Sequence, residues 1–176
     1  NTLACHSLDF HLSGDHGSAQ TLYLWLSQYL KNISVIINGE VRRLPACTVS
    51  FPGFSPEDAL LPYPRNVFDG YRIVQEYFVF PQRFHFFSLT GLTQLWPNQD
   101  SRRVRIEFHF TRPLPSSMRI SKADFSLFCT PAINLFEHSA EPIDLSGQAE
   151  QVRLTPSGQR PKAYEIFSVD RVASWR

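Results

Sequence analysis

The chain has 176 residues, with 17 Lys and Arg against 16 Asp and Glu, for a net charge of +1. At 43% hydrophobic and 19% charged residues it falls among chains that bury a core, which excludes a disordered segment. A charge this near zero supplies no field to steer the chain to nucleic acid or to an anionic membrane.

In chain order, Leu8-Asp9-Phe10-His11-Leu12 alternates apolar and polar residues, predicting a strand with Leu8, Phe10 and Leu12 inward. A turn follows over 14–17. From Ser18, the apolar residues Leu22, Trp25, Leu26, Tyr29, Leu30 and Ile33 recur at helical spacing, predicting a helix that ends near Asn32. Ser34–Ile37 reads as a strand, Asn38-Gly39 as a type I′ hairpin turn and Glu40–Arg42 as its return. Thr48–Phe51 reads as another strand. In Ser55-Pro56-Glu57-Asp58, Ser is placed to cap a helical turn, Pro suits its first position and the acids suit its positive end.

Residues 59–92 form an aromatic block. Asp69 is placed to cap a short helix, with Arg72, Gln75 and Glu76 on one side. Tyr71, Val74, Tyr77 and Phe78 recur at helical spacing on the other side. Pro81 ends this helix, because it pushes Phe80 toward an extended conformation. Phe84–Leu89 then reads as a strand covered on both faces. Helix and strand are expected to pack through Val74, Tyr77, Phe78, Phe84 and Phe86. Tyr63, Arg65, Phe68 and Arg72 are expected outward as candidates for a protein interface.

Val104–Phe110 alternates cleanly, with Arg105, Glu107 and His109 on the polar side, until Pro113 and Pro115 break it. Residues 121–129 could form a short helix capped by Ser121. Ile133–Phe136, Val152–Leu154 and Tyr164–Val169 read as strands. The fold class expected is α+β, mainly antiparallel sheet with a few short helices. Residues 8–37 and 106–135 echo one another as strand, helix, strand. Residues 1–176 would then be one domain of two similar halves, about 1–58 and 100–176, joined by 59–92.

Few residues arrange themselves for chemistry. Gly53-Phe54-Ser55-Pro56-Glu57 starts like a serine-hydrolase elbow but lacks its final Gly, and capping accounts for Ser55. His6, His11 and His16 cannot converge along a strand, while His85, His109 and His138 read as residues satisfied by neighbours. The basic cluster Arg102, Arg103 and Arg105, beside Trp96, is diluted by Asp100 and Glu107. It reads as a solvated or protein-contacting face, with Arg103 and Arg105 as interface candidates. Cys5, Cys47 and Cys129 are odd in number and widely spaced, as expected of buried thiols in a reducing compartment. No metal or cofactor is expected.

The aromatic block also carries a resemblance. Leu60-Leu61-Pro62-Tyr63-Pro64, Gly70-Tyr71-Arg72, Gln75-Glu76-Tyr77-Phe78 and Phe80-Pro81 resemble the signature of the TssF (VasA, ImpG) family of type VI secretion baseplate subunits. Phe128–Phe136 and Tyr164–Val172 are similar to later stretches of that family. The resemblance implies a non-enzymatic subunit of the baseplate wedge that supports tail tube and sheath assembly. It also implies TssG, TssK and TssE as partners in a hetero-oligomer, and a cytoplasmic baseplate docked at the inner membrane. Neither nucleic acid, small-molecule substrate nor membrane insertion is implied. The chain, which starts with Asn, would be an internal piece of a longer protein. Two other classes remain open from the residues alone. One is a β-rich carbohydrate- or peptide-binding module using Trp25, Trp96 or Trp175, the other a serine hydrolase-like enzyme using Ser55.

Overall fold

A computed structural model of the protein describes residues 6–43, 46–64, 66–95, 104–144, 151–158 and 163–174. Cys5, Arg65, Trp96, Asp100, Arg102, Arg103 and Trp175 lie outside the described residues. Residues up to Ala132 form one compact unit, and Ile133–Arg176 a second.

In the first unit, strand β1 (Ser7–Leu12) leads through Asp15, whose carboxylate accepts the Ser18 N–H, into helix α1 (His16–Gln28). The helix buries Ala19, Leu22 and Leu26, but it ends four residues before the expected Asn32. Leu30 and Ile33 belong instead to β2 (Leu30–Ile37), a strand dense in β-branched side chains. Cross-strand pairing with β3 (Glu40–Arg43) and β6 (Val104–Phe110) there overrides the helical spacing. Asn38 and Gly39 turn the hairpin with φ of 52° and 93°, as a type I′ turn requires.

The strands form two antiparallel sheets, an α+β fold built mainly of sheet as expected. One has the order β3-β2-β6. The other runs β4-β5-β1-β7, with β4 (Thr48–Ser50), β5 (Phe86–Thr90) and β7 (Phe125–Leu127). Val35, Ile37, Leu89 and Leu92 center one buried cluster; Leu12, Leu22, Leu26 and Phe87 center the other. Phe10 and Phe108 pack against both.

Gly91 follows β5 with φ of 77°, and a Cβ there would overlap the Ala46 carbonyl oxygen. Gly91→Ala should therefore cost at least about 1–3 kcal/mol, read as a lower urea midpoint.

The expected duplication is corrected by β6 and the segment after it. β6 lies in the three-stranded sheet, whereas β1 lies in the other. Residues 121–129 form a single 3-10 turn, Lys122–Asp124, capped by Ser121, before the chain enters β7 beside β1. The polar-apolar spacing that suggested a helix is that of a turn and an edge strand. In the second unit the three expected strands do not pair with one another. An isolated bridge joins Ala140 to Pro156, and the Phe136, His138 and Tyr164 rings cluster.

Candidate functional site

Helix α2 (Asp69–Val79) forms as the block predicts and ends at Phe80 before Pro81, but Arg72 and Glu76 turn inward, Gln75 stays exposed and the aromatic side faces out. Asp69 is the first helical residue and Phe68 the cap. Arg72, expected at the surface, is 2% exposed, the most deeply buried large side chain of the helix. Val74, Tyr77 and Phe78, expected inside, are 55%, 42% and 80% exposed, and Tyr71 on the same side is 67% exposed. Val79 continues that apolar face at 79%.

The reason lies in the loop against which α2 packs. Its polar side meets residues 53–58, whose backbone carbonyls at Gly53, Phe54 and Ser55 face the helix. A guanidinium carries five N–H groups in a fixed fork, and no apolar side chain could serve. Arg72 donates to the carbonyls of Gly53 (3.4 Å), Phe54 (3.3 Å) and Ser55 (3.0 Å). Its Nε donates to Asp69 at 2.7 Å, one turn before it, and its Nη1 to Glu76 at 3.1 Å, one turn after. Glu76 also accepts the Leu60 N–H and pairs with Arg83, whose guanidinium donates to the Asp58 carbonyl.

The electrostatics arise from this crowding. Hydrogen bonding to Arg72, then its charge, holds the Asp69 carboxyl below its usual range. Arg72 is raised in turn, first by the bond to Asp69. Arg83 moves the other way, first because it is buried and then because Arg72 sits beside it. Two guanidiniums thus share the pocket, and the carboxylates between them hold it together.

Ser55 occupies the N-cap of the 3-10 turn Pro56–Asp58, in extended conformation. Asp58 accepts the N–H groups of Gly53 (2.7 Å) and Ser55 (3.2 Å), while the Ser55 hydroxyl is turned onto Glu57. The loop is therefore tied at both ends, by Asp58 from within and by Arg72 from α2.

Beside the exposed face, Gln20, Tyr23, Phe54, Val74, Tyr77 and Phe84 border a mainly apolar groove of about 380 Å³ between α1 and α2. Phe84 is buried as expected, under Phe54 and Tyr77 at 5.2 and 6.1 Å between ring centers. It belongs to a 3-10 segment, Pro81–His85, so the strand starts two residues later than expected. Phe86 is half-buried against His11.

Among the remaining candidates, Phe68 is exposed, Tyr63 half-buried and Arg105 exposed, 3.9 Å from Glu107. Tertiary packing does gather histidines that spacing along one strand kept apart. His85 lies 5.5 Å from His16 and 6.4 Å from His11, ring to ring. Burial first, then these neighbors, lowers the His85 pKa and keeps the ring neutral. Both His11 nitrogens are engaged, with Ser13 and the Gln82 carbonyl. Among the described residues, no group of three or more His, Cys, Asp or Glu is arranged to hold a metal. Cys47 is buried as expected; Cys129 is exposed, which corrects the expectation for it. The Trp25 indole donates to the Arg112 carbonyl and does not line the groove. No described helix is long and apolar enough to cross a membrane.

Sequence reasoning missed Arg83, a buried cation at the end of the helix, and the inward role of Asp58 and Glu76. The only available signal was the spacing Asp69, Arg72, Glu76, which also describes an ordinary solvated ion-pair face.

These features define a class: an α+β domain of two antiparallel sheets that presents an apolar helix locked from behind by ion pairs. The chain belongs to the family described as Type VI secretion system, TssF, which it matches over residues 1–176. It is 30% identical over 179 residues to the type VI secretion system component TssF1 of Pseudomonas aeruginosa, covering 98% of this chain and 28% of that protein. Its fold is similar to a chain of the TssK-TssF-TssG baseplate subcomplex solved by cryo-electron microscopy. There the TM-score is 0.80 at 30% identity, over 94% of this chain and 31% of that one. The chain thus spans about three-tenths of the length of the proteins it matches.

Proposed function

We propose that the protein to which this chain belongs is a structural subunit of the type VI secretion baseplate wedge. It assembles with TssG- and TssK-type subunits, and through them with a TssE-type subunit, to support the tail tube and sheath. The observation that supports this most is the close fold similarity, at 30% identity, to a chain of a solved TssK-TssF-TssG baseplate subcomplex. The role is one of assembly and not of catalysis. In keeping with that, the Ser55 hydroxyl is spent on Glu57 within a capped turn. The work is done in the cytoplasm, on a baseplate docked at the inner membrane.

Within this role, Tyr63, Arg65, Phe68, Arg103 and Arg105 remain interface candidates, whereas Arg72 acts from the interior by shaping the loop. Pro62 and Pro64 restrain the backbone on either side of Tyr63, so docking through it costs little ordering entropy. The full-length protein, co-expressed with its TssG- and TssK-type neighbors, should co-purify with them in one complex. Changing Tyr63 and Arg65 together to Ala should leave thermal melting unchanged and weaken that co-purification about tenfold. Undiminished recovery would remove this segment from the interface. A wild-type protein that never co-purifies with those neighbors would sink the baseplate reading itself.

A further inference from the structure

Exposed apolar residues also run through the second unit, but those of α2 share one side of a regular helix that is tied down by ion pairs. Tyr71, Val74 and Phe78 stand at helical positions i, i+3 and i+7, with Tyr77 and Val79 beside them. Phe68 extends the stripe past the helix start. Its ring lies where a side chain on Gly70 would have to go, and meets the Tyr71 ring edge-on at 5.9 Å between centers. Phe68, Tyr71, Tyr77 and Phe78 alone leave roughly 500 Å² in the open, at about 200 Å² per ring. The valines and the groove walls bring the patch toward the roughly 800 Å² per partner of a stable interface.

The border of the patch has a sign. Asp69 and Glu76 pair with the buried Arg72 and Arg83, while the Asp58 carboxylate is held by backbone N–H groups and Glu57 meets the Ser55 hydroxyl. Among the described residues, the rim at the start of α2 carries the exposed Glu57 and the partly exposed Asp69, while the face itself is uncharged.

We infer that the exposed face of α2 and the groove beside it dock an amphipathic helix of a partner baseplate subunit, with its apolar stripe bordered by Lys or Arg. The inference rests on the baseplate reading and names the surface and the chemistry of the partner. A helix fits because the receiving surface is itself a helical ridge running beside a groove, the arrangement in which side-chain ridges and grooves interlock. The ion network behind α2 has a role in this. By holding Arg72 and Glu76 inward, it fixes the aromatic side outward in this domain, so little is lost in ordering when the partner arrives. The basic border of the partner meets Glu57 and Asp69, adding salt-sensitive attraction.

The test uses the full-length protein co-expressed with its TssG- and TssK-type neighbors. Tyr71→Glu with Phe78→Glu should leave the melting temperature within about 2 °C and weaken association with the neighbor at least tenfold. Glu57→Lys alone should weaken it less, and the loss should shrink as salt is raised. Val41→Glu, on an exposed residue of the β2–β3 hairpin, should do nothing. If the wild type binds its neighbors and the double variant binds them equally well, the surface is wrong while the baseplate reading stands. A large fall in melting temperature would mean that the face packs within its own polypeptide, and overturns the inference. So would a change confined to self-association by light scattering, which would make the occupant a second copy.

Discussion

Arg72→Met should destabilize the fold by about 3–5 kcal/mol, more than most substitutions on a helix of this length. The side chain is nearly the right size, so packing is not the main loss. The variant lacks the donor set for the Gly53, Phe54 and Ser55 carbonyls, together with the partner of Asp69 and Glu76. Removing Arg72 leaves Glu76 and the Gly53 carbonyl short of a donor in the covered part of the cluster, while the partly exposed Asp69 turns to water. Arg83 compensates only in part, since it reaches Glu76 and the Asp58 carbonyl but is not bonded to Asp69. Arg72→Lys keeps the charge but loses the planar fork, so it should fall between wild type and Met. Urea unfolding followed by circular dichroism measures all three. A loss below about 1 kcal/mol for the Met variant would show that the loop holds itself and that Arg72 is incidental. The loop at 53–58 should also become the first region to gain hydrogen exchange in the Met variant.

The second large effect belongs to Phe87. It is fully buried in β5, stacked on Phe10 at 5.0 Å with rings 9° apart and edge-on to Phe108 at 6.1 Å. Phe10 and Phe108 both touch the two hydrophobic clusters, so Phe87 sits where the layers meet. Phe87→Ala should cost about 3–5 kcal/mol, through lost transfer energy and a cavity that strands on both sides are too constrained to fill. Against a total of about 5–15 kcal/mol typical of a domain, much of the chain would be unfolded at growth temperature. Phe78→Ala on the exposed face should cost less than about 1 kcal/mol in the same assay. Equal losses at the two positions would contradict the assignment of Phe78 to the surface.

The contrast between these phenylalanines marks the limit of pattern reading. Both sit in one aromatic block, and a hydrophobic run records that a residue seeks an apolar neighbor without recording whose. For β5, flanked by β1 and β4, that neighbor is in the same chain. For α2, Arg72 had the stronger claim on the interior, because its guanidinium reaches three carbonyls of the 53–58 loop and two carboxylates at once. Helical spacing is symmetric under exchange of the two sides, so no periodicity could have chosen between them.

Alternation and turn chemistry determined β1, the β2–β3 hairpin and β6 from local residues alone, because a strand with one covered face and an Asn-Gly turn leave little freedom. The ordered motifs in 59–92, 128–136 and 164–172 likewise determined the family. Tertiary structure decided the rest. It ended α1 at Gln28 in favor of a sheet ladder, turned 121–129 into a 3-10 turn and an edge strand, and brought His85 beside His16. Above all it set the outward face of α2, since only the assembled loop gathers the carbonyls that draw Arg72 in and leave the aromatic side to a partner.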